Sequence, residues 1–213
     1  MKSQKIVLTG VIVSYPEIVS VRNGKKLFRI YVDANRISNI VDRIPVTFSE
    51  NSKTYKLLKE VEGNKEDIVG MPILCIGEIR SHDSTKNGLH SLNNTVMSHK
   101  MKRVTKSDAD INNVKVKAYI SKLFDIRETP SGAIIQDCIL AIPRGKATDY
   151  VPTIFWNRDA KIIHESYKVG DLVSLIGRLQ SREYYKTKKD DEGNDVVEEK
   201  TRYELSVFRL NKE

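Results

Sequence analysis

The sequence contains little of what marks a membrane protein or a disulfide-stabilised protein. It has two cysteines among 213 residues, Cys75 and Cys138. Both lie within apolar runs, which is typical of small buried side chains and not of a disulfide framework. No apolar run approaches the roughly 20 residues that cross a bilayer, and the first residues, MKSQKIVLTG, contain no apolar signal core. We therefore expect a soluble, cytoplasmic protein.

The sequence also lacks the residue constellations that catalysis requires. Its four histidines, at positions 82, 90, 99 and 164, are scattered, and none has a metal-ligand spacing to a cysteine or another histidine. It contains no phosphate-binding glycine loop and no G-x-S-x-G elbow. We expect a protein without catalysis, cofactor or metal. Because some nucleases use a related barrel, metal-dependent nicking of DNA is the observation that would indicate an enzyme.

Positive charge is what the sequence has in excess. It holds 36 Lys plus Arg and 28 Asp plus Glu, a formal net charge of +8. Residues 1–106 hold 18 basic and 10 acidic side chains, whereas residues 107–213 hold 18 of each. Six of the acidic residues lie between positions 190 and 199, in a stretch that is either a solvated hairpin tip, which we favour, or a phosphate mimic. The excess charge predicts a polyanionic partner, most commonly nucleic acid.

The chain reads as two copies of one unit. In each half, three strand-like segments precede a short helical stretch and two further strands. Gly24 and Gly132 are 108 residues apart, and Phe48 and Phe155 are 107 apart, so corresponding landmarks keep a nearly constant offset. This is the pattern that a duplication leaves.

That element order predicts a mainly β protein with two tandem OB-fold barrels. Each barrel has five strands in Greek-key order and one helix between strands 3 and 4. We assign residues 1–101 to the first domain, 102–113 to a polar linker and 114–213 to the second domain. Two β-barrels or SH3-like modules without a ligand are the alternative, since a fold does not determine a function.

The second half carries a predicted ligand surface. Strand alternation places Val151, Thr153 and Phe155 towards the core, so that Tyr150 and Trp156 point outward together. Exposed rings beside cations are what single-stranded nucleic acid needs, because bases stack on rings and phosphates pair with cations. The alternative is that these aromatics pack under loops or at a subunit interface. The predicted contact residues are Tyr150, Trp156, Tyr184, Tyr185, Arg144, Lys146, Arg178, Arg182 and Lys186.

The first half does not repeat the aromatic pattern. The positions equivalent to Tyr150, Trp156 and Tyr184 are Arg43, Ser49 and Ser84. Cations without rings would bind a phosphate backbone without base preference and with strong salt dependence. A solvated basic surface and a subunit interface are the alternatives. The cations concerned are Arg22, Lys25, Lys26, Arg29, Arg36 and Arg43.

The second half resembles the bacterial single-stranded DNA-binding protein (SSB) family. The resemblance rests on RDAKIIHESYKVGDLVSLIGRLQSREY, on the later RYELSV and on TPSGAIIQDCILAIPR, and it covers roughly residues 113–210. It implies that Tyr150, Trp156 and Tyr184 occupy the positions of base-stacking aromatics. It also implies an assembly of four barrels, which two copies of this chain would supply as a homodimer.

The resemblance implies a non-enzymatic protein that coats single-stranded DNA during replication, recombination or repair, in association with the nucleoid and with proteins of those processes. Because the sequence ends at SVFRLNKE, recruitment of partners through an acidic tail is not expected. The residues leave three alternatives open: a primosome-type accessory protein, a scaffold whose barrels bind proteins, and an RNA-binding protein.

Overall fold

A computed structural model describes residues 3–86, 89–106, 110–189 and 195–211, without the side chains of 83–86, 89–92, 186, 188 and 189. Twelve strands and two helices make up these ranges. The first half contains β1 (Gln4–Ile12), β2 (Glu17–Arg22), β3 (Lys25–Asn35), β4 (Val41–Ser49), α1 (Lys53–Gly63), β5 (Pro72–Lys86) and β6 (Leu89–Arg103). The second contains β7 (Asn112–Leu123), β8 (Arg127–Glu128), β9 (Ile134–Arg144), β10 (Ala147–Trp156), α2 (Asn157–Ser166), β11 (Leu172–Lys189) and β12 (Asp195–Asn211).

The strands close into two barrels, as the sequence predicts. In barrel one (residues 4–103) the strand order is β3-β4-β6-β5-β1, and pairing of β1 with β3 closes the ring. In barrel two (residues 112–211) the order is β9-β10-β12-β11-β7, and pairing of β7 with β9 closes it. β4 pairs in parallel with β6 in barrel one, and β10 pairs in parallel with β12 in barrel two. One helix follows β4 and one follows β10. This is the OB fold, and the described residues are mainly β. A further short strand follows the first strand of each barrel, β2 after β1 and β8 after β7, in addition to the five predicted strands.

Alternating burial explains why these segments form barrel walls. Ile6, Leu8 and Ile12 of β1 are fully buried, whereas the alternate residues Lys5, Val7, Thr9 and Val11 are more exposed. In β10, Val151, Thr153 and Phe155 face the core, as the alternation predicts. Both cysteines are free and buried within the strand walls. Apolar burial of this kind is the main driving force for folding.

The two barrels are joined edge to edge through their first strands. β1 pairs antiparallel with β7, with Gln4 opposite Val116 and Ile6 opposite Val114. Each barrel also uses an amide side chain in the same way: Gln4 exchanges two hydrogen bonds with the backbone of Ile79, and Asn112 does so with Leu179. The barrels are therefore related by a pseudo-two-fold arrangement within one chain. The segment between β6 and β7 falls within the predicted linker, and its residues 107–109 lie outside the described part.

No helix in the described ranges is long and apolar enough to cross a membrane. Nor, within these ranges, do three or more His, Cys, Asp or Glu side chains come together as a metal ion would require.

Candidate nucleic-acid interface

Trp156 and Phe208 lie on the outer face of barrel two, where β10 runs parallel to β12. The indole nitrogen of Trp156, Nε1, donates a hydrogen bond to Ser206 Oγ at 3.0 Å, which fixes the orientation of a half-buried ring. Phe208 follows Ser206 by two residues, at the point where the β11–β12 register skips one residue of β12, and it is 54% exposed. Both rings line an open cavity of about 390 Å³ beside the start of α2. The outer face of barrel two thus offers an oriented indole and an exposed phenyl ring.

Arg178 supplies a cation to this pair of rings. It lies opposite Ser206 in the β11–β12 ladder, and its guanidinium carbon is 5.5 Å from the centre of the Phe208 ring. Its Nε is buried and has no hydrogen-bond partner within the described ranges. Burial, followed by the nearby Arg36, lowers the pKa of the Arg178 guanidinium from its usual value. Since arginine stays protonated, an anion bound at this site would offset both the burial of the Arg178 charge and its repulsion by Arg36.

A second ring and cation pair lies further along the β11–β12 ribbon. The guanidinium of Arg202 is 5.8 Å from the centre of the Tyr184 ring, and Tyr185 beside it is 72% exposed. Arg182 is half-exposed and 3.9 Å from the carboxylate of Glu204, a distance at which it keeps donors for a ligand. The side chain of Lys186 and residues 190–194 of the acidic stretch lie outside the described part. Residues 195–199 of that stretch are exposed on the ribbon.

Tyr150 lies at the junction between the barrels. Its ring is 40% exposed, and its backbone amide donates to Ser81 Oγ of barrel one at 2.9 Å. Arg144 is engaged nearby, because its Nε donates to the buried carboxylate of Asp149 at 3.0 Å. Lys146 at the adjacent turn is exposed. The structure therefore places Tyr150 and Lys146 open to solvent and Arg144 in a structural ion pair.

The predicted cations of barrel one divide into two groups. Arg22, Lys25 and Lys26 flank the β2–β3 turn, are exposed, and have no ion pair to another described residue. Their ammonium and guanidinium groups are exposed and can meet a phosphate backbone.

The other three cations of barrel one are paired with carboxylates. Arg36 makes two hydrogen bonds, of 2.7 and 2.5 Å, to Asp42, and these side chains are only 15% and 1% exposed. The hydrogen bonds that Arg36 donates to Asp42 raise the pKa of its guanidinium. Such a pair is a fixed part of the fold. Arg29 with Glu17 and Arg43 with Asp33 are pairs at 2.8 Å on the surface, where ion pairs contribute about 0–1 kcal/mol and can exchange.

The outer face of barrel one that corresponds to Trp156 and Phe208 carries different chemistry. The equivalents of Arg178 and Phe208 in the β5–β6 ladder are Glu78 and His99, whose side chains are 3.2 Å apart. Glu78 also pairs with Arg80. This face therefore presents an ion-paired carboxylate and an imidazole where barrel two presents a cation and a phenyl ring.

Three aromatic residues near the candidate interface are not among the residues predicted from the sequence: Phe208, Tyr31 and Tyr203. Tyr31 points out of β3 between Arg29 and Asp33. Its equivalent in barrel two is Ile139, so comparing the aromatic positions of the two halves does not reveal Tyr31. The alternation of Arg29, Tyr31 and Asp33 with buried residues in β3 could have found it. Tyr203 lies at the junction, where side chains of both barrels meet.

Comparison with known proteins agrees with this geometry. Residues 111–210 match the sequence model of the Single-strand binding protein family. The chain is 30% identical over 81 residues to Single-stranded DNA-binding protein 1 of Streptococcus pyogenes serotype M18, covering 35% of this chain and 62% of that protein. It is 30% identical over 81 residues to Single-stranded DNA-binding protein A of Bacillus subtilis, covering 35% of this chain and 47% of that protein. The match therefore spans less than two thirds of these curated relatives.

The fold of the whole chain is similar to a solved structure. The wild-type single-stranded DNA-binding protein from Thermus aquaticus superposes with a TM-score of 0.72 at 16% identity, covering 99% of this chain and 92% of that one. At this identity the likeness concerns the fold, and it extends over both barrels.

Proposed function

We propose that this chain, whose residues 111–210 match the sequence model of the Single-strand binding protein family, binds single-stranded DNA and does so without catalysis. The observation that carries the proposal is the outer face of barrel two, where Trp156 and Phe208 lie beside Arg178. Rings accept unstacked bases at about 1–3 kcal/mol per base, and cations neutralise the phosphates. The role is to cover strands exposed during replication, recombination or repair, in the nucleoid.

The proposed mechanism divides the contacts into two kinds. Tyr150, Trp156 and Tyr184 stack bases, while Lys146, Arg178 and Arg182 bind phosphates, with Tyr185 and Lys186 extending the surface along the ribbon. Cations of barrel one add sequence-independent attraction, which falls as salt rises because bound counterions are released. In this scheme Arg36 and Arg144 position their neighbours, since both are held by buried carboxylates.

We also propose that two copies of the chain associate as a homodimer with four barrels. A groove of about 650 Å³ crosses the sheet that joins the barrels, with apolar side chains of Ile76 and Ile176 beside Lys5 and Lys115. Such a face is suited to a second protein surface. A mass in solution of twice the chain mass supports the dimer, and a monomer mass at micromolar concentration rejects it.

The binding proposal is tested by fluorescence anisotropy with labelled strands of equal length. We expect tight binding to oligo-dT, weaker binding to duplex DNA and a steep loss of affinity with salt. Tighter binding to RNA than to DNA of the same length would indicate an RNA-binding protein instead. Failure to bind either strand at low salt would reject nucleic-acid binding.

A further inference from the structure

We propose that Tyr31 and Tyr203 form a second base-binding site at the junction between the barrels. A single strand held on barrel two would continue through this site onto β3 of barrel one. This proposal rests on the proposed function. It assigns base contacts to barrel one, although the barrel-one positions equivalent to Tyr150, Trp156 and Tyr184 carry no aromatic rings.

Tyr31 is placed on the outside of barrel one by the alternation of β3. Ile30 and Val32 on either side of it are fully buried in the core, so the Tyr31 ring lies on the outer face. The Arg29 guanidinium lies 5.2 Å from the centre of this ring. The same combination of ring and cation occurs at Tyr184 with Arg202 in barrel two. A ring beside a cation matches the base and the phosphate of one nucleotide.

Tyr203 of barrel two lies close to the same part of barrel one. It lies opposite Ser181 in the β11–β12 ladder, and Ser181 Oγ accepts a hydrogen bond from the Arg43 amide of barrel one at 3.1 Å. The Tyr203 carbonyl accepts a long bond of 3.5 Å from Asn94 Nδ2 of barrel one. Burial raises the pKa of Tyr203 to about 12, and Tyr31, Arg29 and Arg43 are close enough to influence it. The Tyr203 ring is half-buried against the hydrophobic core, on the side of β12 opposite to Ser206, so a strand held at Trp156 would pass around the β11–β12 ribbon to reach it.

The charges around this site are exchangeable. Glu17 and Asp33 hold Arg29 and Arg43 in surface ion pairs, and Glu183 lies near Arg43. Since surface pairs are weak, a phosphate can replace either carboxylate at low cost. The cations need only rotate from the carboxylates towards the strand.

The alternative route for the strand lacks the ring and cation pair found on barrel two. By the pseudo-two-fold arrangement, the strand would leave barrel two for the β5–β6 face of barrel one, but Glu78 stands there beside His99. Glu78 takes the position of Arg178 and is held by Arg80 and His99, so this face lacks the arginine and phenyl ring pair of barrel two. The route across Tyr203 and Tyr31 is the one that combines rings with cations, so the path is asymmetric although the fold is nearly symmetric.

The test uses the full chain, two lengths of oligo-dT and Trp156 emission together with anisotropy. A strand of about 8 nucleotides fits within one OB fold, and one of about 30 reaches both barrels. We expect Tyr31→Ala to weaken binding of the long strand about tenfold and to leave the short strand unchanged. Tyr31→Phe, which keeps the ring, is the matched control and should bind both strands like the parent.

The outcomes separate this proposal from the proposed function. Absence of binding by the parent chain rejects the proposed function. Parent-like binding of the long strand by Tyr31→Ala, or an equal loss for both lengths, rejects the junction site alone. Photocrosslinking of the parent chain to a halogenated oligo-dU needs no variant, so misfolding of a variant cannot affect its result. Crosslinks at Tyr31 or Tyr203 support the site, whereas crosslinks confined to other residues of barrel two reject it.

Discussion

The carboxylate of Asp149 in barrel two accepts a hydrogen bond from the backbone amide of Ser81 in barrel one at 3.0 Å. The equivalent Asp42 of barrel one accepts the same bond from Ser181 of barrel two, also at 3.0 Å. Each acid is buried and neutralised by arginine. These reciprocal bonds fix one barrel against the other.

Replacing Asp149 should therefore weaken the junction. Asp149→Ala leaves Arg80 and Arg144 without their shared carboxylate, and breaking a buried pair in this way costs about 3 kcal/mol. Denaturant unfolding measures the loss. The control is Glu66→Gln, which breaks an exposed pair with Arg103 and should leave the midpoint almost unchanged. Equal midpoints for both variants would contradict a structural role for Asp149.

Two glycines of barrel one should respond oppositely to alanine. A Cβ at Gly77 would lie 2.2 Å from the backbone oxygen of Met97, so Gly77→Ala forces β5 and β6 apart and costs about 2 kcal/mol. Gly63 ends helix α1 with open space around it, so Gly63→Ala should stabilise the protein by about 0.5 kcal/mol. Thermal unfolding of the two variants checks the contrast, and a stable Gly77→Ala would show that the strands can separate freely.

The two thiols should be unreactive in the folded protein. Burial raises the pKa of Cys75 to about 11 and raises that of Cys138 further, so both are protonated at about pH 8. A chromogenic disulfide reagent should therefore report two thiols only after unfolding. Rapid labelling of the native chain would mean that the strand walls open.

The salt dependence of binding should depend on the exchangeable cations. Removing Arg29 and Arg43 together should make the slope of log affinity against log salt shallower by about 1.4, or about 0.7 for each lost phosphate contact on a single strand. Arg103→Ala, which removes a cation from an exposed pair elsewhere, is the control. Identical slopes for the double variant and the parent would show that these arginines keep their carboxylates when DNA binds.

Much of the fold could be predicted from the sequence because the duplication repeats local signals. Gly70 and Gly170 hold the same left-handed turn in the two halves, with φ of 91° and 97°. The alternation around Phe155 gave the core face of β10. These signals depend on neighbours in sequence, and both halves repeat them.

The candidate site was predicted less completely because its partners come from other strands. Nothing local to Arg36 reveals that Asp42, six residues later, would be buried beneath it, or that Ser181 would bond to the same acid. Tyr203 meets barrel one only through the pairing of the barrels. Ion-pair partners and cross-barrel contacts follow from strand register, which composition and alternation do not determine.

Stacking on Trp156 should depend on an aromatic ring at that position. Trp156→Ala should weaken binding of a short oligo-dT about tenfold at every salt concentration, because the lost energy is stacking and not counterion release. Trp156→Phe, which keeps a ring but loses the bond to Ser206, should retain most of the affinity. Anisotropy with a labelled strand measures both variants, and equal weakening of the two would point to the hydrogen bond.

The most direct test follows the emission of Trp156, the single tryptophan of the chain, during titration with oligo-dT. Stacking of a base on the indole predicts strong, saturable quenching that is reversed by salt. Unchanged emission while the strand is shown by anisotropy to be bound would contradict a base-binding site at Trp156.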